Sequence, residues 1–145
     1  MTEVGGPNPS RILILDDDLV NRSLIQAILT RADDPSIRHA TLREAGSLAE
    51  ARVILDREDV DLLLLDVHLP DGLGLTLATE LGRERADRPA ILALTASVLP
   101  EDQRAALDAG CDAFLAKPFP ARDLLSASAR LLDRRRERAM QLRAL

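Results

Sequence analysis

The sequence predicts a doubly wound α/β protein built on one parallel five-stranded sheet, and three features point there. Short runs of consecutive apolar residues recur along the chain, segments with helical spacing separate them, and acidic, hydroxyl and ammonium residues fall just after the runs. A strand that is apolar on successive residues is covered on both faces, as in a parallel sheet. Alternation with helices gives the βα repeat of an open doubly wound sheet.

In chain order, the strands are expected at Ile12 to Leu15, Ile37 to Leu42, Leu62 to Leu65, Ile91 to Leu94 and Ala113 to Ala116. The second is broken by Arg38 and His39, which an edge position would explain. Between them, Leu24, Ile25, Ile28 and Leu29 form one helical apolar face, and Leu48, Ala51, Val53, Ile54 and Leu55 another. Leu75, Leu77, Ala78 and Leu81 form a third. Pro100-Glu101-Asp102 reads as a helix first turn with its acids at the positive end of the dipole, and Gly110 as its stop. A last helix begins near Ala121-Arg122-Asp123 and runs through Leu124, Leu125 and Leu131. No internal repeat or low-complexity tract interrupts the pattern.

A chain of 145 residues with 46% apolar residues suits one globular unit and is short for two ordinary domains. Residues 1–10 are polar with two glycines and two prolines, and are expected to be a disordered segment before a domain spanning residues 11–132. Residues 133–145 are expected to form a helical extension. From Arg130 to Leu145 there are six Arg against two acids, which reads as a solvated helical face, with docking or dimerisation through Leu131, Leu132, Met140 and Leu142 as the alternative. The net charge of −5 does not favour nucleic acid as a direct partner. No leader or bilayer-length apolar stretch is seen, so a cytoplasmic protein is expected. The lone Cys111 allows no internal disulfide and suits a small buried apolar position in a reducing compartment.

Ligands of such sheets sit beyond the carboxyl ends of the strands. There stand Asp16-Asp17-Asp18, Asp66, Thr95 and Lys117, and Lys117 is the one lysine among nineteen basic residues. Singly, Asp and Thr after a strand are ordinary caps and turn formers. Together, packed carboxylates repel unless one is protonated or a cation neutralises them, and oxygen-only ligands favour a hard ion such as Mg2+. A phosphoryl group in transfer needs a positive or hydrogen-bonding partner for each of three oxygens, which a metal, Lys117 and Thr95 supply. A carboxylate can be the nucleophile and become an acyl phosphate.

The strings Ile-Leu-Ile-Leu-Asp16-Asp17-Asp18, Leu-Leu-Leu-Leu-Asp66-Val-His-Leu-Pro70-Asp-Gly-Leu-Gly74, Leu94-Thr95-Ala96-Ser97 and Leu-Ala-Lys117-Pro118-Phe119 resemble the receiver domains of bacterial response regulators, over roughly Arg11 to Leu132. The resemblance implies the flavodoxin-like (βα)5 fold with strand order 2-1-3-4-5. It also implies a phosphorelay role, with a phosphoryl group passing from a histidine kinase or histidine phosphotransfer domain to Asp66. It makes Asp17 a direct Mg2+ ligand and Asp16 one acting through water. Asp66 and the backbone carbonyl of His68 complete the metal set. Lys117 pairs with the phosphoryl oxygens, across a cis Lys117-Pro118 bond as is usual in the family. Thr95 and Phe114 stand where the family's conformational switch is found, although Phe114 lacks the hydroxyl of a Tyr. The His68 imidazole faces either the expected acyl phosphate or solvent. His39 receives no role. The stretches Asp16 to Ile25 and Ile91 to Phe119 are more similar to receivers of hybrid histidine kinases than to those of transcription factors. A receiver is a signalling domain that catalyses its own phosphorylation.

The main rival is an enzyme. Asp16-x-Asp18 followed by Leu19-Val20 also resembles the first motif of haloacid-dehalogenase-type phosphatases, with Asp16 as nucleophile. That reading needs another acidic motif after the lysine and leaves the run before Asp66 unexplained. A flavin-binding module is weakened by the absence of Trp and Tyr.

Overall fold

A computed structural model describes residues 9–82 and 87–144, with side chains to residue 142. Residues 1–8 of the expected N-terminal segment lie outside the described residues. Ser10 is 3% exposed, and its N–H donates to the Ser36 carbonyl at 3.0 Å.

The elements are β1 (Arg11–Leu15), α1 (Leu19–Leu29), α2 (Pro35–Arg38), β2 (Thr41–Ala45), α3 (Leu48–Arg57), β3 (Leu62–Asp66), β4 (His68–Leu69), β5 (Gly72–Leu73), α4 (Gly74–Leu81), β6 (Ala90–Thr95), α5 (Pro100–Ala109), β7 (Ala113–Ala116) and α6 (Ala121–Ala144). The main sheet is parallel in the order β2-β1-β3-β6-β7. Counting only its strands, this is the expected order 2-1-3-4-5. The small antiparallel pair β4-β5 was not foreseen, and lies between β3 and α4.

Continuous apolar runs make two cores at once. Ile12 and Ile14 of β1 and Leu62 and Leu64 of β3 face α1 and α6, where Ile25, Leu29, Leu124, Leu131 and Leu132 cover them. Leu13, Leu15, Leu63 and Leu65 face the other way, onto Leu48 and Ala51 of α3, Leu77 and Ala78 of α4 and Ala106 of α5. The four leucines of β3 are 0% exposed, and each such burial contributes roughly 1.5–3 kcal/mol relative to leaving the side chain in water. Cys111 is buried in the second core, as its small apolar character predicted.

The second strand is shifted from its expected place. The sequence predicts a strand over residues 37–42, but Ile37 and Arg38 belong to α2 and the strand starts at Thr41. Asp34 caps α2 by accepting from the Ser36 N–H at 2.9 Å, and Pro35 is pre-set for a helix first turn, so the local chemistry favours helix over strand. Ile37 is still buried, in the α1/α6 core. The strand is at the sheet edge, as its polar residues suggested.

Three helix boundaries follow their local signals. Pro100 opens α5 with Glu101 and Asp102 in its first turn, and Gly110 closes it in the left-handed conformation at φ 114°. Ser47 caps α3 through the Glu50 N–H. The last helix is one uninterrupted element of 24 residues. The reading of its arginines as a solvated face holds for exposed Arg134 and Arg138 but fails for Arg135. Arg135 turns onto the sheet's amino edge, donating to Asp61 Oδ1 and the Arg88 carbonyl, both at 2.9 Å. Arg136 donates to Ser10 Oγ at 3.0 Å. No described helix is long and apolar enough to cross a membrane.

Candidate functional site at the carboxyl edge of the sheet

Parallel pairing in register brings the ends of β1, β3, β6 and β7 level, so the residues after the apolar runs meet. One carboxylate oxygen from each of Asp16, Asp17 and Asp66 lies within 4.8 Å of the others. Lys117 Nζ lies 3.2 Å from Asp16 Oδ2 and 3.6 Å from Asp66 Oδ1. Four of the residues singled out in the sequence thus form one cluster.

Their environments differ. Asp16 is 1% exposed, and its Oδ1 accepts from the Asp18 N–H at 2.9 Å. Asp17 is exposed. Asp66 is 8% exposed, and burial pushes its carboxyl above the usual range. The Lys117 ammonium opposes that rise, the Asp16 charge adds to it, the His68 N–H opposes it, and Asp17 adds a little more. Burial leads the rise and Lys117 is the largest influence against it, while two further carboxylates crowd the same edge, an arrangement that a hard cation relieves. Three carboxylates with no sulfur or imidazole among them fit Mg2+.

Asp18 does not join the cluster. Its side chain accepts from the Val20 N–H at 2.9 Å and caps α1, so the ordinary capping explanation holds for this one residue of the acidic run. His68 donates its backbone N–H to Asp66 Oδ1 at 3.4 Å, and the residue is exposed. Thr95 ends β6, one residue beyond Leu94, the register partner of Asp66. Its Oγ1 accepts from the Ser97 N–H at 3.0 Å, and its carbonyl accepts from the Lys117 N–H at 2.7 Å. The Lys117-Pro118 peptide is cis. Phe114 is half-buried in β7, two residues before Ala116, the register partner of Thr95. It packs on the core that holds Cys111 and Ala106.

Two residues that support the site had no assigned role from sequence. Gly74 starts α4 against the end of β3, and a Cβ there would sit 2.1 Å from the Asp66 carbonyl oxygen. Asp71 accepts from the N–H groups of Leu48 at 2.9 Å and Ala49 at 3.1 Å, which ties the loop after Asp66 to the first turn of α3. Those two N–H groups, the Leu48 one foremost, hold the Asp71 carboxyl below its usual range. Asp71 stood in the sequence only within the receiver-like string, because a partner 23 residues away leaves no local trace.

An open parallel sheet in this order, with an acidic cluster and a lysine at its carboxyl edge, defines a receiver-type signalling domain. The chain belongs to the response regulator receiver domain family, whose sequence model matches residues 12–129. It is 36% identical over 123 residues to the aerobic respiration control protein ArcA of Escherichia coli (strain K12), covering 85% of this chain and 48% of that protein. It is 35% identical over 127 residues to the sensory/regulatory protein RpfC of Xanthomonas campestris pv. campestris (strain ATCC 33913), covering 83% of this chain and 16% of that one. The chain therefore spans about half the length of ArcA. Among solved structures, the CheY-like response regulator receiver domain protein of Methanospirillum hungatei JF-1 matches with a TM-score of 0.77 and 27% identity, covering 90% of this chain and 98% of that one. A response regulator of Chloroflexus aurantiacus J-10-fl matches with a TM-score of 0.76 and 28% identity, covering 87% and 99%.

Proposed function

We propose that Asp66 receives a phosphoryl group from a phosphohistidine on a histidine kinase or phosphotransfer domain and holds it as a signal. The observation that carries this is the convergence of Asp16, Asp17, Asp66 and Lys117 at one strand edge of a receiver fold. An Asp66 carboxylate oxygen attacks phosphorus, the phosphorus–nitrogen bond breaks, and the imidazole leaves. The product is an acyl phosphate on Asp66. Asp17 and Asp66 would hold Mg2+, with Asp16 acting through water and the backbone carbonyl of His68 as a further oxygen donor, and the ion would supply positive charge for the phosphoryl oxygens. Lys117 leaves Asp66 for a phosphoryl oxygen once the carboxylate has become an acyl phosphate, and the Thr95 hydroxyl turns from the Ser97 N–H to another.

The signal follows from those movements. Thr95 and Lys117 are joined through the Thr95 carbonyl, so a shift of one displaces the ends of β6 and β7 together. Phe114 repacks as they move. Its ring carries no hydroxyl, so the device depends on packing alone. The receiver domain spans residues 11–132, residues 133–145 are a helical extension of it, and its location is the cytoplasm. No observation favours a phosphatase that uses Asp16 as nucleophile, since both Asp16 oxygens already accept, from Asp18 N–H and from Lys117.

Metal and phosphoryl roles are tested together in Asp17→Asn. The variant should bind Mg2+ more weakly by calorimetry and take up label from a small acyl phosphate more slowly, to a similar degree. Unchanged Mg2+ affinity would contradict the site. Broad turnover of phosphate esters by the unmodified protein would favour the phosphatase instead.

A further inference from the structure

We infer that Arg22 is a positioning residue for the acidic turn, holding the Asp16–Asp17 peptide so that Asp17 points at Asp66. The proposal rests on the Mg2+ site proposed above for its consequence, and on geometry alone for its cause. Arg22 lies one turn into α1, and its Nη1 donates to the Asp16 carbonyl at 2.6 Å. Its Nε donates to Glu44 Oε1 at 2.9 Å, from the edge strand β2. The amide of Gln26, one turn further along α1, also donates to Glu44. The Arg22 side chain is 17% exposed, so the guanidinium is sandwiched between the turn and the edge strand.

A guanidinium suits this task because its planar fork reaches two acceptors in fixed directions, which a lysine ammonium does not do. The space it occupies is kept open by the next residue of the chain after β2. A Cβ on Gly46 would stand 3.2 Å from Arg22 Nη1.

The carbonyl it holds matters more than most. A peptide unit is planar, so fixing the Asp16 oxygen fixes the plane of the Asp16–Asp17 bond and the direction in which Asp17 departs. The other groups of Asp16 are already anchored, its N–H on the Ala45 carbonyl at 3.0 Å and its carboxylate on Asp18 N–H and Lys117. Arg22 supplies the remaining restraint. Asp17 is exposed and depends on that peptide plane to stay within reach of Asp66.

Charge and position act on the metal site in opposite directions here. Arg22 is a cation near a cation site, so its loss should on Coulombic grounds alone tighten Mg2+ binding. A positioning role predicts weaker binding. In Arg22→Ala, we expect the Asp18 amide of the metal-free protein to exchange with solvent about tenfold faster, as local opening becomes easier. Mg2+ affinity by calorimetry should fall about tenfold, the low end of the cost of removing residues that orient metal ligands. Glu44→Ala, at an exposed edge where folding is not at stake, should move both readouts in the same direction by less. Arg52→Ala breaks a surface pair of 2.6 Å with Glu80 elsewhere on the protein and should move neither.

Unchanged exchange in the folded Arg22→Ala protein, or tighter Mg2+ binding with unchanged exchange, would overturn the inference. A wild-type protein that binds no Mg2+ would instead overturn the site reading. The metal-free exchange rates decide the role of Arg22 in either event.

Discussion

Gly74→Ala sets two physical effects against each other. Gly74 is the first residue of α4, and its φ is not in the left-handed region, so backbone freedom is not what requires glycine here. Intrinsic preference alone favours the substitution, since alanine is better than glycine in a helix by about 1 kcal/mol. The neighbours oppose it. The new Cβ would lie 2.1 Å from the Asp66 carbonyl oxygen and 3.0 Å from Leu65 Cδ1. The first is roughly 0.9 Å inside the limit of 3.0 Å that real contacts respect, and the atom it meets is backbone. The Gly74 N–H also donates to the Val67 carbonyl at 2.7 Å, so α4 cannot back away without breaking that bond. Overpacking of this kind typically costs about 1–3 kcal/mol, and a backbone obstacle belongs at the upper end. Net of the helix gain, we expect a loss of about 2 kcal/mol. For a domain of this size that lowers the melting temperature by roughly 4–8 °C. Because the displaced atom is the carbonyl of Asp66, phosphoryl uptake should fall as well, in protein that is still folded. Differential scanning calorimetry beside acyl-phosphate labelling measures both. A melting temperature equal to or above wild type, with full labelling, would refute the close-approach argument.

Other substitutions probe the remaining supports. Asp66→Asn should raise the melting temperature in chelator at neutral pH. Burial raises the Asp66 pKa, so the ionised group destabilises the fold above that pKa, and the advantage of Asn should shrink as pH falls through it. A difference that grows on acidification would contradict the sign. Asp71→Ala should lower stability at neutral pH by removing the acceptor for two N–H groups of α3. Its pKa is depressed, so the contribution is present above the ordinary carboxylate range and lost as pH falls through the lowered value, and melting curves of the two proteins should converge in acid. Asp112→Ala leaves the Arg88 guanidinium, 3% exposed, without the carboxylate 2.8 Å away. The cost should be about 3–5 kcal/mol by denaturant unfolding, and one below about 1 kcal/mol would mean that the pair is not buried as described.

The legible parts of this molecule were those with short-range chemical signatures. The central strands could be read because burial on both faces makes them apolar on every residue, and Asp66 and Thr95 could be placed because each ends such a run, while Lys117 follows the apolar but only half-buried run of the edge strand β7. The edge strand β2 could not be placed, since four of its five residues are not buried and its pattern is polar, while Asp34-Pro35 favours a helix where the strand is expected to begin. Arg135 looked like one more tail arginine because its partners Asp61 and Arg88 lie far away in sequence. Gly74 appeared only within a family-like string, and its reason is a backbone approach visible in three dimensions alone. Arg22 is of the same kind, with partners six residues back and 22 ahead.

The role of this domain turns most directly on where a phosphoryl group goes. With Mg2+ and a small acyl phosphate, or a cognate kinase, the protein should become labelled, and peptide mapping after chemical trapping should place the label on Asp66, with Asp66→Asn left unlabelled. Label on Asp16, or an undiminished yield in Asp66→Asn, would contradict it.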